Sequence, residues 1–307
     1  MKTARIVLFA AGIFTAATLS AQSFVSIPLS KDTFENTHIT KFEKANYQGM
    51  DCYKKYVVSL QHTGIATIWK YDGKEKLEKI SSFELATHDP VNHSNVASFG
   101  VEKFDRKDPL PLLYISQCHK KPYNGLKDVL FVERINPDMK GSTLVQTIYF
   151  EDPNNLFGYA LQWVVDKKNK MLYGYGNTTK DKDLEGNRHR VIKFALPKLS
   201  DSDANGMVVL KESDALENYV LEDNGLSFAT IGQGLCIWKD RLMMPTGLGT
   251  EQYPSYLFVW DLKNKRPVEV LDMSIGTTGE LEDLAHFKGK KYLVQGQDGL
   301  FLMKYKK

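Results

Sequence analysis

The feature that most constrains the fold is a set of four apolar strand types that recurs along the chain in a fixed order. First strands are predicted at residues 48–53, 93–101, 158–165, 233–238 and 281–287. Second strands follow at 55–61, 110–116, 170–177, 240–247 and 291–297, and third strands at 65–71, 128–135, 190–196, 255–262 and 299–305. Fourth strands are predicted in the first four units, at 76–85, 143–150, 207–211 and 266–273. This repeated order predicts an all-β chain folded as a five-bladed β-propeller.

Residues 48–61 and 233–246 carry a direct repeat within this pattern. The segment QGMDCYKKYVVSLQ aligns without a gap to QGLCIWKDRLMMPT. Each copy opens with Gln-Gly, continues with apolar and aromatic residues, and reaches a second apolar strand through a turn led by lysine. The match indicates that the two segments occupy equivalent positions in different blades.

The last blade needs a strand from the other end of the chain. The fifth unit has no fourth strand because the sequence stops at Lys307. Residues 22–30, QSFVSIPLS, have the length and apolar pattern of the missing strand, so we expect them to pair into the last blade and close the ring. Six blades are the main alternative, with the additional blade in residues 212–232. A two-sheet sandwich would not require four distinct strand types in fixed order.

Residues 1–21 have the pattern of a secretory signal peptide, which predicts a secreted or periplasmic protein. Lys2 and Arg5 precede an apolar run from Ile6 to Leu19, and Leu19-Ser20-Ala21 forms a small-residue cleavage site. Residues 22–307 are then a single propeller domain, and no later apolar stretch is long enough for a membrane span. Loss of Lys2 and Arg5 lowers the formal charge from +3 to +1, which gives no electrostatic reason to expect a nucleic acid partner.

The three cysteines, Cys52, Cys118 and Cys236, are expected to be buried as small apolar side chains. Their odd number leaves at least one thiol outside any disulfide, and their spacing provides no CxxC motif for zinc. All three lie within or at the end of apolar segments. The cysteines therefore indicate packing rather than a metal centre.

The candidate ligand site follows from propeller geometry. First strands line the central channel, and the loops that enter them gather with the second-to-third loops at one mouth, where ligands bind. The residues predicted to bind a ligand there are Gln48, His62, His93, Asn95, His119, Gln162, Gln233, Tyr253, Glu280 and Glu282. Amide groups beside aromatic faces suit a small molecule, a glycan or a peptide segment of a protein partner. One side of the mouth is expected to be basic, through His119, Lys120, Lys121, Arg188 and His189, and blade five to be acidic.

Two residues of this set also suit a divalent cation. Glu282 and Asn95 offer oxygen ligands of the kind that calcium prefers, although calcium takes about six to eight oxygens and the sequence contains no DxDxDG loop. Glycoside hydrolysis is disfavoured because the first strands of blades two to four offer Asn95, Gln162 and Gln233 where an acid and a base are needed. No GxSxG motif indicates nucleophilic hydrolysis.

Three runs of sequence carry a resemblance to known proteins. HSNVASFGVEKFDRKDPLPLLYISQC, the later VERI and the terminal GELEDLAHFKGKKYLVQGQDGLFLMKY resemble exported bacterial β-propeller proteins of poorly characterised function. The terminal run is similar to calcium-dependent lactonase-type and glutaminyl-cyclase-type propellers. This resemblance implies a ligand site at an acidic strand start, Glu280 with Glu282. The sequence thus predicts a non-catalytic ligand-binding propeller, with a hydrolase or lyase assisted by a divalent cation as the alternative.

Overall fold

The computed structural model describes residues 29–30, 34–43, 45–73, 76–118, 122–181, 186–221, 232–251, 253–274, 279–289 and 291–306. Two strands come first in the chain, β1 (Leu29–Ser30) and β2 (Phe34–Lys41). Blade one contains β3 (Tyr47–Tyr53), β4 (Tyr56–Gln61), β5 (Ile65–Tyr71) and β6 (Leu77–Glu84). Blade two contains β7 (Ser94–Phe99), β8 (Leu113–Gln117), β9 (Leu130–Ile135) and β10 (Ser142–Glu151).

The second half of the chain supplies the other three blades. Blade three begins with β11 (Tyr159–Asp166), β12 (Met171–Asn177) and β13 (His189–Ala195), which are followed along the chain by β14 (Met207–Lys211) and β15 (Glu217–Val220). Blade four contains β16 (Cys236–Trp238), β17 (Arg241–Thr246), β18 (Tyr256–Asp261) and β19 (Arg266–Asp272), and blade five contains β20 (Leu281–Lys288), β21 (Lys291–Gly296) and β22 (Gly299–Tyr305). Two short 3-10 helices, Leu199–Asp201 and Glu212–Asp214, flank β14.

These strands form five small, mainly antiparallel sheets arranged as a five-bladed β-propeller, as the sequence predicts. The first strands β3, β7, β11, β16 and β20 contact one another in a closed ring around the axis. Residues of β3 and β7 are buried almost without exception, whereas the outer strand β6 alternates between exposed and half-buried side chains. Burial therefore decreases from the axis to the rim, because only the inner strands are covered on all sides.

The last blade is closed by an N-terminal strand, but not by the one expected. β2 pairs antiparallel with β22, with Phe34 opposite Tyr305. Residues 22–30 were expected to close blade five, but Leu29 and Ser30 pair in parallel with β19 of blade four, so the expectation is wrong for these two residues. Residues 22–28 lie outside the described part of the chain. The closing strand FENTHITK was missed because it presents few apolar side chains, with only Phe34 fully buried.

The assignment of residues 207–211 to blade three is also wrong. These residues form β14, which adds in parallel to the outer edge of β10 in blade two. The fourth strand of blade three is β15, which pairs antiparallel with β13. The physical reason lies in the core between the two blades, where Val208 and Leu210 pack in one cluster with Phe150 and Phe194.

A single buried carboxyl group, that of Asp283, joins three inner strands at the axis. Its Oδ2 accepts the backbone N–H of Met50 at 2.7 Å, and its Oδ1 accepts those of Leu235 at 3.1 Å and Leu284 at 2.8 Å. Burial raises the pKa of Asp283 well above its ordinary value, while the N–H donors act in the opposite direction. Inner-strand residues on the N-terminal side of the Asp283 carboxyl group line one cavity. Inner-strand residues on its C-terminal side line another.

The expectations for cysteines and membrane spans can be assessed over the same residues. Cys52, Cys118 and Cys236 are all buried and form no disulfide in the described part of the chain, as expected. Among the residues that the structure describes, no helix is long and apolar enough to cross a membrane. The predicted signal peptide, residues 1–21, lies outside the described residues and stays a prediction.

Candidate functional site

A cavity of about 200 Å³ lies at the N-terminal end of the inner strands, and we call it the mouth cavity. Its lining includes six of the residues predicted to bind a ligand, namely Gln48, His93, Asn95, Gln162, Gln233 and Glu280. Blade three adds further polar side chains, those of Tyr159, Tyr175, Asn177 and His189. The propeller therefore brings together amides, carboxyl groups, phenols and imidazoles from separate parts of the sequence.

Irregular backbone at the start of the inner strands positions several of these side chains. The strand register shifts between Tyr47 and Met50 in β3, between Ser94 and Val96 in β7, and between Leu281 and Asp283 in β20. Gln48, Asn95 and Glu282 lie within these three irregularities. Because a β-bulge redirects the side chain that it carries, these irregularities set the direction of three predicted site residues, of which Gln48 and Asn95 line the mouth cavity.

Two glutamine oxygens are buried at this cavity without a hydrogen-bond donor in the described part of the chain. They are Oε1 of Gln48 and Oε1 of Gln162, on side chains that are only 8% and 4% exposed. The amide nitrogen of Gln162 lies 3.8 Å from Sγ of Cys118, a weak contact. A buried acceptor without a donor costs about 1–3 kcal/mol, so the cavity carries two acceptors that a ligand would satisfy.

Glu282 and Glu280 form a carboxyl pair at the blade-five side. Glu282 is 1% exposed, and its Oε1 accepts a short hydrogen bond from Nε2 of Gln297. Burial raises the pKa of Glu282 to about 9, and the nearby Glu280 carboxylate is the second largest cause of this increase. Glu282 is therefore protonated and uncharged at neutral pH. Glu280 accepts the side-chain N–H of Gln233 at 2.6 Å, which also fixes that glutamine at the cavity wall.

A buried tyrosine–histidine pair forms part of the blade-three wall. The hydroxyl of Tyr175 and Nδ1 of His189 share a short hydrogen bond. Burial lowers the pKa of His189 to about 3 and raises the pKa of Tyr175 well above its ordinary value. Both side chains are uncharged at neutral pH, and the imidazole tautomer sets which of the two donates. His189 thus adds no positive charge, contrary to the expected basic side of the mouth.

Four predicted ligand-binding residues are not among the described residues that line the mouth cavity. His62 lies in the turn after β4, where its carbonyl accepts the backbone N–H of Ser94 at 3.0 Å. Tyr253 lies on a more open surface with Leu248, Thr250 and Glu251. His119 lies outside the described residues. Glu282 supports the wall through Gln297 without lining the cavity.

The sequence reasoning missed Tyr175, Asn177 and their contribution to the cavity. Both lie at the end of β12, and the C-terminal ends of second strands meet the N-terminal ends of first strands at the same face. That rule would have indicated them without any structure.

A calcium site at Glu282 and Asn95 has limited support from the donor set. Over the described residues, no group of three or more His, Cys, Asp or Glu side chains is arranged to hold a metal ion. Among the described residues, Oε2 of Glu282 is buried without a hydrogen-bond partner, whereas Nδ2 of Asn95 lies 3.5 Å from the carbonyl of Gln233. Calcium prefers about six to eight oxygen ligands, several of them anionic. A protonated carboxyl group and neutral amides do not provide such a set.

Comparisons with known proteins identify similar solved structures but no sequence family. No protein-family profile matches the sequence, and no curated protein matches it significantly. Solved structures similar to this chain include a glutaminyl cyclase of Myxococcus xanthus, at 9% identity and a TM-score of 0.49, with 91% of this chain and 100% of that chain covered. A protein of unknown function from Bacteroides thetaiotaomicron is 10% identical, with a TM-score of 0.43 and coverages of 89% and 72%. A glucose dehydrogenase is 9% identical, with a TM-score of 0.47 and coverages of 89% and 99%.

Proposed function

We propose that this chain is a secreted or periplasmic, non-catalytic binding protein whose mouth cavity holds a small, neutral, polyhydroxylated molecule. The observation that carries the proposal is the pair of buried acceptors, Oε1 of Gln48 and Oε1 of Gln162. They lie on β3 and β11, which flank β7, and both side chains line the same cavity. A ligand with several hydroxyl groups would donate to both oxygens and remove their desolvation penalty.

The charge of the wall favours a neutral ligand. Glu282 is protonated at neutral pH, and His189 is uncharged because its pKa is lowered to about 3. The carboxylate of Glu280 accepts the amide of Gln233 at 2.6 Å, and its formal negative charge disfavours an anionic ligand. Neutral amide, hydroxyl and carboxyl groups suit the hydroxyls of a sugar or polyol, which both donate and accept hydrogen bonds.

The size of the cavity restricts the ligand further. A volume of about 200 Å³ is below the range of roughly 300–1,000 Å³ that takes drug-sized molecules. A single sugar ring, or the terminal unit of a glycan, is a better match than a folded protein surface.

The test is a binding screen followed by paired substitutions. Thermal shift against neutral monosaccharides and polyols would identify a ligand, and isothermal titration would measure its Kd. We expect Gln162→Leu to weaken binding at least tenfold while leaving the unfolding free energy within about 1 kcal/mol, because the substitution removes an amide whose oxygen has no donor among the described residues.

Gln117→Leu is the matched control. Gln117 is also a buried glutamine whose Oε1 has no partner among the described residues, but it does not line the mouth cavity. The control should bind with unchanged Kd. Absence of binding by every sugar and polyol, or equal losses in the two variants, would overturn the proposal.

A hydrolase or lyase assisted by calcium is the second candidate, favoured by the buried Oε2 of Glu282. It predicts that calcium raises Tm and that Glu282→Ala and Asn95→Ala each abolish the increase. Under the binding-protein proposal, calcium leaves Tm unchanged in the native chain and in both variants. The two outcomes separate the candidates without knowledge of a substrate.

A further inference from the structure

A second cavity, of about 210 Å³, lies at the opposite end of the channel, and we call it the basal cavity. Its inner wall is mainly apolar and comes from all the inner strands, with Ala97, Val164, Leu235, Ile237 and Leu284 among its residues. Two aromatic side chains, Tyr53 and Trp238, complete the lining near the turns. An apolar wall of this kind favours contact with a hydrocarbon or aromatic group.

The rim of the basal cavity is cationic. The turns between first and second strands supply Lys54, Lys167, Lys168 and Lys239 to its lining. Lys54 extends over the ring of Tyr53 at 5.3 Å, and Lys239 over the ring of Trp238 at 5.9 Å. The aromatic rings thus hold two of the ammonium groups close to the opening.

The carboxylates of the same cavity are already satisfied by neighbouring groups. Asp51 accepts Lys167 Nζ at 2.6 Å and the backbone N–H groups of Cys52 and Phe99. Asp166 accepts the backbone N–H groups of Lys168 and Asn169. The lining keeps a formal excess of two positive charges. Within the described ranges, Lys54, Lys168 and Lys239 have no carboxylate at ion-pair distance.

His286 does not add to this charge. Burial lowers its pKa below the ordinary value, so the ring is neutral above mildly acidic pH. It stacks on the indole of Trp238 with ring centres 3.4 Å apart. The stack forms a flat, uncharged part of the wall directly beside the lysine rim.

The rim lysines are not scattered surface charges, because the sequence repeat places two of them at equivalent positions. Lys54 and Lys239 lead the first-to-second turns of the aligned segments 48–61 and 233–246. Both have positive φ angles, 55° and 52°, a conformation that lysine rarely adopts. Equivalent turns therefore direct cations to one cavity from blades one and four.

We propose that the basal cavity binds a small organic carboxylate with an apolar body, such as an aromatic acid. The carboxylate would pair with the ammonium groups of Lys54, Lys168 and Lys239 at the rim. The apolar body would lie against Leu235, Leu284 and the Trp238–His286 stack. This site is separate from the mouth cavity, since the two lie on opposite sides of the axial carboxyl group of Asp283.

Isothermal titration of the purified protein with benzoate tests the proposal. Benzoate should bind, while benzamide, which has the same ring without the charge, and acetate, which has the charge without the ring, should each bind at least tenfold more weakly. Inorganic phosphate should also bind at least tenfold more weakly. Equal binding of phosphate, acetate and benzoate would show a general anion surface and overturn the proposal, as would no binding of benzoate.

Paired lysine variants locate the binding. The double variant Lys54→Gln/Lys239→Gln should raise the Kd for benzoate at least fivefold. The control Lys55→Gln/Lys170→Gln makes the same change of charge in exposed residues of first-to-second turns that do not line the cavity, and it should leave the Kd unchanged. Equal losses in the two double variants would assign the effect to overall charge and contradict the site.

Discussion

Asp283 occupies the space that a side chain at residue 234 would need. A Cβ placed on Gly234 would lie 2.2 Å from Oδ1 of Asp283 and 2.6 Å from the carbonyl oxygen of Glu282. Gly49 has the same role in blade one, where a Cβ would lie 2.8 Å from the backbone nitrogen of Ala97. The Gln-Gly pair of the sequence repeat is thereby explained: Gln48 and Gln233 line the mouth cavity, and the glycines after them allow the inner strands to approach.

Gly234→Ala should destabilise the propeller strongly. The added methyl group meets the buried Asp283 carboxyl and a backbone carbonyl, neither of which has room to move, so the unfolding free energy should fall by about 2–4 kcal/mol in urea denaturation. Gly141→Ala is the control, because a Cβ there meets only the end of the Asn136 side chain at 3.1 Å. Similar losses in the two variants would contradict the axial packing described here.

Asp283→Asn should also destabilise the chain, for a different reason. The carboxyl group accepts N–H groups on both oxygens, whereas an amide offers one oxygen and places its own N–H₂ against at least one backbone donor. We expect a loss of about 2–4 kcal/mol by urea denaturation. Asp138→Asn, at an exposed turn where the carboxylate accepts only the N–H of Lys140 in the described contacts, should change stability by less than about 0.5 kcal/mol. A mild effect of Asp283→Asn would mean that the axial hydrogen bonds are dispensable.

The blade count could be predicted from sequence because each inner and central strand is an apolar run. β4 and β18, for example, are buried over most of their length, and their segments YVVSLQ and YLFVWD are recognisable without any structure. Outer strands carry less information. Residues 207–211 have a strand pattern, but nothing in MVVLK specifies whether it pairs with β10 or β13; the observed pairing with β10 places Val208 and Leu210 in one cluster with Phe150 and Phe194 between the two blades.

The candidate site could be predicted only in part. Gln48, Asn95 and Gln233 follow from the rule that first strands begin at the mouth of the channel. Asp51, three residues after Gln48 in the same strand, lines the basal cavity instead of the mouth cavity. A strand of seven residues spans both ends of the channel, so the sequence alone does not fix the level of each side chain. Neutrality of His189 and Glu282 depends on burial, which composition does not reveal.

Truncation distinguishes the observed closing strand from the expected one. A chain that begins at residue 33 keeps β2 and, among the described contacts, loses the two-residue pairing of β1 with β19, so it should unfold cooperatively with a modest loss of stability. A chain that begins at residue 45 lacks β2 and exposes the edge of β22, so it should aggregate or lose its cooperative transition. Circular dichroism melts and size-exclusion chromatography would measure both. A native-like chain from residue 45 would contradict the closure by β2.

His189 should make stability fall as the solution becomes acidic. Its pKa is about 3 in the folded chain and about 6.5 when unfolded, so below about pH 6.5 the unfolded chain binds a proton that the folded chain does not. The resulting loss approaches about 1.4 kcal/mol per pH unit. His189→Phe should therefore have a flatter stability profile between pH 6.5 and 4 than the native chain. The control His88→Gln changes a half-buried histidine in a turn and should leave the native profile in place.

Glu282 should act in the opposite direction, and at higher pH. In the unfolded chain this carboxyl titrates near its ordinary value of about 4.3, whereas the folded chain holds its proton up to about pH 9. Between these values the folded state retains a proton that the unfolded state has lost, so stability is greatest below the lower value and falls as pH rises toward the upper one. Glu282→Gln keeps a neutral side chain at every pH, and urea denaturation from pH 5 to 9 should show a flatter profile, by on the order of 1 kcal/mol per pH unit. Glu78→Gln, at an exposed position of β6, should retain the native slope. Parallel profiles for Glu282→Gln and the native chain would show that Glu282 is ionised in the folded state, and the neutral mouth cavity would lose its main electrostatic argument.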